Sequence, residues 1–195
     1  MSAVSVASQD SLRDHPQLRA IFKAAESRHL TDQELDEYQH QVPDCAARAA
    51  CAREVRELEE EVVANVVDEI FLVYPYEQHH RGARVKALRD IRYVSAYATL
   101  AMLMNDPRWF DNKILLWLKT ILQAFEFPDR EGSARKALFS RSAEDATLEK
   151  LRPHQRSIHA TYTKLRHHYQ ERLGEAAFAL MAPYLQQAID RLSGD

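Results

Sequence analysis

Between Asp44 and Tyr74 apolar residues recur at three- and four-residue steps: Cys51, Val55, Leu58, Val62, Val66 and Ile70. That spacing lines one face of an α-helix, while Arg53, Arg56, Glu57, Glu60 and Asp68 fall opposite, so a long amphipathic helix is predicted. A second stripe, Leu88, Ile91, Val94, Ala98 and Ala101, predicts a helix from Ala83 to Met104. Asn105-Asp106-Pro107 then reads as a stop and a new start, with Asp106 as N-cap and Pro107 in the first turn. The helix that follows carries Ile114, Leu115, Leu118, Ile121, Leu122 and Phe125 around much of its circumference. It is expected to be the most buried element and to end at Pro128.

Upstream, Thr31-Asp32-Gln33-Glu34 is a capping box, and Leu30 and Leu35 stand where a hydrophobic staple needs them. A short helix from Gln17 to Ser27 is predicted before it, and Pro43-Asp44 ends or bends the capped helix. Residues 1–16 are small and polar and close at Pro16, which reads as a loose extension ahead of one domain over 17–195. Downstream, residues 129–142 read as a surface excursion and Ser142 opens a short helix to about Leu151. A helix then runs from Pro153 to Leu173, with Gly174 as its C-terminal cap. The last helix, Glu175 to Leu192, should kink or split at Pro183. The expectation is an all-α chain of seven to eight helices around one core.

Composition narrows the picture. Four glycines in 195 residues are too few for a turn-rich β-sandwich or a Gly-rich nucleotide loop. With 26 Lys and Arg against 29 Asp and Glu, nothing demands nucleic acid. No apolar run is long enough for a membrane-spanning helix, and the opening residues lack the basic and apolar regions of a secretion signal. Two cysteines make no disulfide framework and suit a reducing, cytoplasmic compartment.

Candidate chemistry is sparse. Nine histidines invite a metal reading, yet no H-E-x-x-H occurs, and neither His79-His80 nor His167-His168 has carboxylates at ligand-like helical spacing. They are expected to be solvated surface residues. Cys45 and Cys51, six apart on a helix, diverge and form no zinc pair; Cys51 is expected to be a small buried hydrophobe. No nucleophile elbow, phosphate loop or dinucleotide fingerprint is present, so no enzyme is predicted. Arg84, Lys86, Arg89, Asp90 and Arg92 cluster on one helix. The cations there suit an anionic ligand and Asp90 suits N–H donors, although such clusters are more commonly exposed helix faces.

Three stretches together resemble the phycobilisome protein family, the globin-like α and β phycobiliproteins of cyanobacteria and red algae. RHLTDQELDEYQHQVPDC and the long helix after it, Arg28 to Pro75, are similar to the family's R-Y-L-S/T-x-x-E-L-D opening and the helix ending in Phe and Pro, here Phe71 and Pro75. ALRDIRYVSAYATLAMLMND, Ala87 to Asp106, is similar to the bilin-attachment helix C-x-R-D-x-x-Y-Y/I-L-R-x-x-T-Y-x-x-x-x-G-D. Arg108 to Pro128 is similar to the helix that ends in a G/T-x-P turn.

The resemblance implies a globin-like fold and a place in the light-harvesting antenna, and it also marks departures. In the family a cysteine at the head of C-x-R-D tethers an open-chain tetrapyrrole by a thioether; that position is Ala87 here, which implies no covalent bilin. Arg89 and Asp90 match the residues that hold a bilin propionate and the pyrrole nitrogens, and Tyr93 matches a pocket aromatic. The connection from Pro75 to Lys86 is shorter than the family's. An Asp–Arg pair that joins α and β chains matches Ala24 and Ala96, so it is absent. The resemblance therefore implies a structural, assembly or regulatory antenna protein, cytoplasmic at the thylakoid surface, whose partners are phycobiliprotein subunits or a second copy of itself. The alternative is a globin-like protein that holds bilin or haem non-covalently through Arg89 and Asp90, with the His79-His80 connection as a source of an axial haem ligand.

Overall fold

Among the residues that the computed structural model describes (16–42, 44–74, 81–124 and 153–194), every regular element is helical, as the periodicities predict. Helix α1 (Pro16–Ala24) begins at Pro16 itself, and α2 (Asp32–Gln41) follows a turn in which Ser27 takes a φ of 76°. Both halves of the capping box form: the Glu34 N–H donates to Thr31 Oγ1, and the Thr31 N–H donates to the Glu34 carboxylate at 2.8 Å. Leu30 and Leu35 are buried beside it, completing the staple.

Glu34 also receives both guanidinium nitrogens of Arg28, each at 2.8 Å. That pairing, with the Thr31 hydrogen bonds, holds its carboxyl down at about 2. The folded state favours the ionised form, so Glu34 adds stability above an unfolded value near 4.5, and this stability is lost as the pH falls towards 2. Glu34→Gln keeps the cap but removes the charge. Thermal melts recorded from pH 4.5 down to 2 should show a shallower loss of Tm in this variant than in the parent.

Helix α3 (Ala46–Val73) has Cys45 at its N-cap position, with no capping hydrogen bond from the side chain, and α4 (Ala83–Met104) has Gly82 at its own. Gly82 sits at φ 74°, a conformation glycine adopts without a Cβ clash. Asn105, also left-handed at φ 52°, closes α4, and the Asp106 carboxylate accepts the Trp109 N–H at 2.9 Å to open α5 (Pro107–Phe110). One π-helical turn, Asp111–Leu115, leads into α6 (Leu116–Ala124), and α7 (Pro153–Arg172) and α8 (Glu175–Ser193) complete the described chain.

The interior lies where α3, α4, α7 and α8 meet: α3 packs along α4 and α7, and α8 crosses all three. Helix α2 lies on α3, held partly by Arg53 to Asp36 at 2.6 Å and Arg56 to Asp32 at 2.7 Å. Two buried hydroxyl contacts fix the packing. Tyr38 donates to the Leu103 carbonyl at 2.7 Å, and the Tyr169 and Ser95 hydroxyls lie 2.7 Å apart. Each satisfies a polar group that would otherwise be costly to bury.

Three expectations are corrected. The most buried element is α4, in which every residue from Val94 to Leu103 is buried; on the helix after Pro107, Leu116 and Trp117 stay 49% and 50% exposed. The reason is steric. Ser95, Ala96, Ala98 and Ala101 are small enough for neighbours to close on several sides of α4, whereas an apolar circumference alone supplies no neighbours. Of the kink or split expected at Pro183, the split does not occur: α8 runs through it as one helix. Gly174 sits at φ −59° as the N-cap of α8, so it does not act as a left-handed cap of α7. Residues 1–15 of the expected extension, Pro43, Pro75, Pro128, the excursion over 129–142 and the short helix to Leu151 lie outside the described residues.

Candidate functional site

On α4, Ala83, Ala87 and Ile91 follow at four-residue steps, with Lys86 and Asp90 beside them, so these residues share one face. That face forms one wall of a cavity of about 220 Å³. Val67 and Ile70 of α3, Ile121 and Leu122 of α6, and Ile158 and Tyr162 of α7 supply much of the rest, and the walls are mainly apolar. The volume is below the roughly 300–1,000 Å³ of pockets that enclose drug-sized ligands.

Three charged residues of α4 line the cavity, Lys86, Arg89 and Asp90. Arg89 Nε donates to Asp90 Oδ1 at 2.8 Å, and Arg89 Nη2 lies 2.7 Å from the same oxygen as an ion pair. Oδ2 has no hydrogen-bond partner among the described residues. Burial raises the Asp90 carboxyl above the ordinary aspartate value, and it outweighs the Arg89 hydrogen bonds that pull the other way.

A stability consequence follows from that direction. A carboxyl raised on folding binds its proton more tightly in the folded state, so stability falls as the pH rises past an unfolded value near 3.8 and stays lower above the raised one. Asp90→Asn removes this cost. The variant should melt higher than the parent at pH 7, by about 2–4 °C for each kcal/mol regained in a chain of this size, and the gain should vanish below the unfolded value. Calorimetry at the two pH values checks it.

Across the cavity stands Tyr162, 4% exposed. Its hydroxyl has no hydrogen-bond partner among the described residues. Burial, and then the nearby Asp90 charge, raise its pKa, so it remains a neutral donor.

The structure therefore brings Ala87, Arg89 and Asp90 to one wall and leaves Tyr93 out of the cavity lining. Tyr93 is half-buried against the core, near Tyr97, whose ring packs on Trp109 with centroids 5.6 Å apart. Of the other cations of the cluster, Lys86 lines the cavity and acts on the Asp90 charge, while the remaining two do not join it. Arg84 pairs with Asp68 and lies over the Phe71 ring, and Arg92 is exposed. Tyr162 is the residue that sequence reading missed, because Ile158, Tyr162, Leu165 and Tyr169 form a helical row indistinguishable from an ordinary core stripe.

The cysteines stand elsewhere. Cys45 and Cys51 are both buried, neither lines the cavity, and burial raises both thiols, that of Cys51 to about 12. Cys51 points its sulfur at the Ala177 carbonyl, 3.3 Å away. The histidines correct the surface reading. His168 is largely buried and pairs with Glu69 of α3 at 2.8 Å, and His29 pairs with Glu59 at 2.6 Å from an equally buried position. His167 does have a carboxylate one turn on, Glu171 at 3.2 Å. Among the described residues, no group of three His, Cys, Asp or Glu side chains is arranged to hold a metal ion. His79-His80 lies outside the described residues. Among the described helices, none is long and apolar enough to cross a membrane.

The model of the phycobilisome protein family matches residues 21–192. No curated protein and no solved structure matches the chain. The match takes in every described helix but the start of α1 and the last residue of α8, and it agrees with the strandless helical packing found among the described residues. The chain belongs to the phycobilisome protein family, with the all-α, globin-like fold and the light-harvesting, phycobiliprotein-like role that membership carries.

Proposed function

We propose that this protein is an antenna component without a covalent pigment, serving a structural, assembly or regulatory role beside phycobiliprotein subunits or a second copy of itself. One observation carries the reading. The residue that heads the R-D pair and lines the cavity is Ala87, while both cysteines of the chain are buried with their thiols away from that cavity. A thioether needs a reachable sulfur, and a thiolate is the reactive form. The donor chemistry at Asp90 and Arg89 suits pyrrole nitrogens and a propionate, but a tethered bilin does not fit these residues. Ala24 and Ala96 likewise offer no charges for that inter-chain ion pair, and hydrophobic contacts alone can support pairing in its place. The domain spans 17–195, works at the thylakoid surface in the cytoplasm, and catalyses no reaction.

Isolation from a pigment-producing host tests the pigment half: no zinc-fluorescent band is expected on a denaturing gel, and such a band overturns it. Size-exclusion chromatography with phycobiliprotein subunits tests the partner half. Co-elution is expected, and separate elution under every condition counts against it.

A second reading is favoured by the buried Asp90 carboxylate with one oxygen open: non-covalent binding of a tetrapyrrole, bilin or haem, anchored by Asp90 and Arg89. Titration with phycocyanobilin or haem distinguishes the two. A spectrum identical to that of the free ligand removes this reading.

A further inference from the structure

Val85, Arg89 and Arg92 stand at four- and three-residue steps along α4, which puts them on its outer face, opposite Ala83 and Ala87 of the cavity wall. All three are exposed, as are Arg81, Arg84 and Lys86 beside them. Arg84 joins this face to the end of α3, since it pairs with Asp68 and lies over the Phe71 ring. Next to Phe71 in the chain is Leu72, 83% exposed, and next to Arg84 is Val85, 70% exposed. No other large apolar side chain among the described residues is as exposed as these two. The corner between α3 and α4 therefore sets two protruding aliphatic side chains among five cations, Arg81, Arg84, Lys86, Arg89 and Arg92. Two carboxylates, Asp68 and Asp90, answer them through Arg84 and Arg89. A positive surplus is left on a chain whose formal net charge is -3.

We propose that this corner is a docking surface for an anionic lipid bilayer. Leu72 and Val85 enter the boundary between headgroups and acyl chains, and the cations around them meet the anionic headgroups. Two features favour a bilayer over a protein partner. The first is area: a stable protein interface buries about 800 Å² on each side, and two aliphatic side chains supply only a small part of its apolar centre. The second is shape: side chains this exposed project from the surface and line no groove, so a soft phase closes around them where a rigid partner needs a matching hollow. Arginine suits the setting, because its aliphatic stem lies along apolar surface while the guanidinium reaches headgroup oxygens. Salt screens charges beyond about 8 Å at physiological ionic strength, so the surplus acts on a surface it touches while the acidic remainder of the chain acts weakly. No described helix is long and apolar enough to cross a membrane, so this attachment is peripheral. The inference goes beyond the proposed function by giving its membrane-surface location a physical means, and it stands on the corner alone.

The test is co-sedimentation of the full chain with vesicles of phosphatidylcholine alone and of phosphatidylcholine with about one third phosphatidylglycerol. The mixed vesicles should bind the chain about tenfold more tightly than the neutral ones, and less so as salt is raised. Arg81→Glu combined with Arg92→Glu should weaken this binding about tenfold or more, and Leu72→Ser combined with Val85→Ser about tenfold. All four positions are exposed, so both variants should melt like the parent. Two controls keep the surface identifiable. Lys23→Glu with Arg108→Glu makes the same charge change at exposed positions elsewhere, and Leu116→Ser with Trp117→Ser removes the other exposed apolar pair. Both controls should bind like the parent. Equal binding to the two kinds of vesicle, binding to neither, or an equal loss in a control and its matching corner variant overturns the proposal. If the parent ignores vesicles and the corner variants lose co-elution with phycobiliprotein subunits, the corner is a protein interface and the lipid proposal falls. Vesicle binding lost in the corner variants with co-elution kept sustains it. Its failure leaves the pigment-free antenna reading in place, because the denaturing gel and the chromatography of the parent decide that separately.

Discussion

Leu100→Ala is expected to cost about 2–5 kcal/mol, whereas Trp117→Ala, which deletes a larger apolar side chain, is expected to cost about 1 kcal/mol or less. Leu100 is fully buried in the stretch of α4 that α3 and α8 close around, so its removal leaves a hole the packed neighbours fill only in part. Trp117 is already half in water and gives up far less burial. Against a typical domain stability of about 5–15 kcal/mol, the first change removes a large share of the whole. In a chain of this size it should lower Tm by roughly 4–20 °C, taking about 2–4 °C per kcal/mol. Chemical denaturation of the two variants side by side checks the ordering. A costlier Trp117→Ala would mean that the helix after Pro107 is the interior, as its apolar circumference first suggests.

Thiol labelling should separate the parent protein from Ala87→Cys in an all-or-none way. Under native conditions neither cysteine of the parent should react on the time scale of an exposed thiol, and both should react once the chain is unfolded. Burial is the cause: it blocks the reagent and raises both thiols away from the reactive thiolate. Position 87 lies partly exposed on the cavity wall, so Ala87→Cys should add one thiol that reacts at once. A thiol reagent followed by absorbance reads the count directly. Rapid native labelling of the parent would expose a sulfur able to carry a pigment and would remove the main support for a pigment-free role. Slow labelling of the variant would show that residue 87 does not open onto the cavity.

Some of this was legible along the chain because the determining interactions are local. The capping box at Thr31 and the Asp106-Pro107 start involve residues within one turn, and their side-chain geometry follows from spacing alone. The stripe from Cys51 to Ile70 likewise places a buried face before any partner is known. Arg89 and Asp90 could be singled out because they are neighbours on one helix. Tyr162 could not be, since it lies more than seventy positions away, and nothing in a helical row of apolar and aromatic residues says which one meets a void. The same limit explains Tyr93, whose helical face turns from the cavity towards Tyr97.

The amino-acid order by itself determined that the chain is helical, where most helices start, which face of each is apolar, and that residue 87 has no sulfur. Those properties depend on backbone periodicity and on residue identity, which contacts between distant segments do not change. Only the tertiary structure decided which apolar surfaces are covered, that α4 and not its successor forms the centre, and that Asp90 and Tyr162 line one cavity. The physical reason is that burial and hydrogen-bond satisfaction belong to pairs of surfaces: a helix presents a face, and only the elements packed against it determine what that face meets.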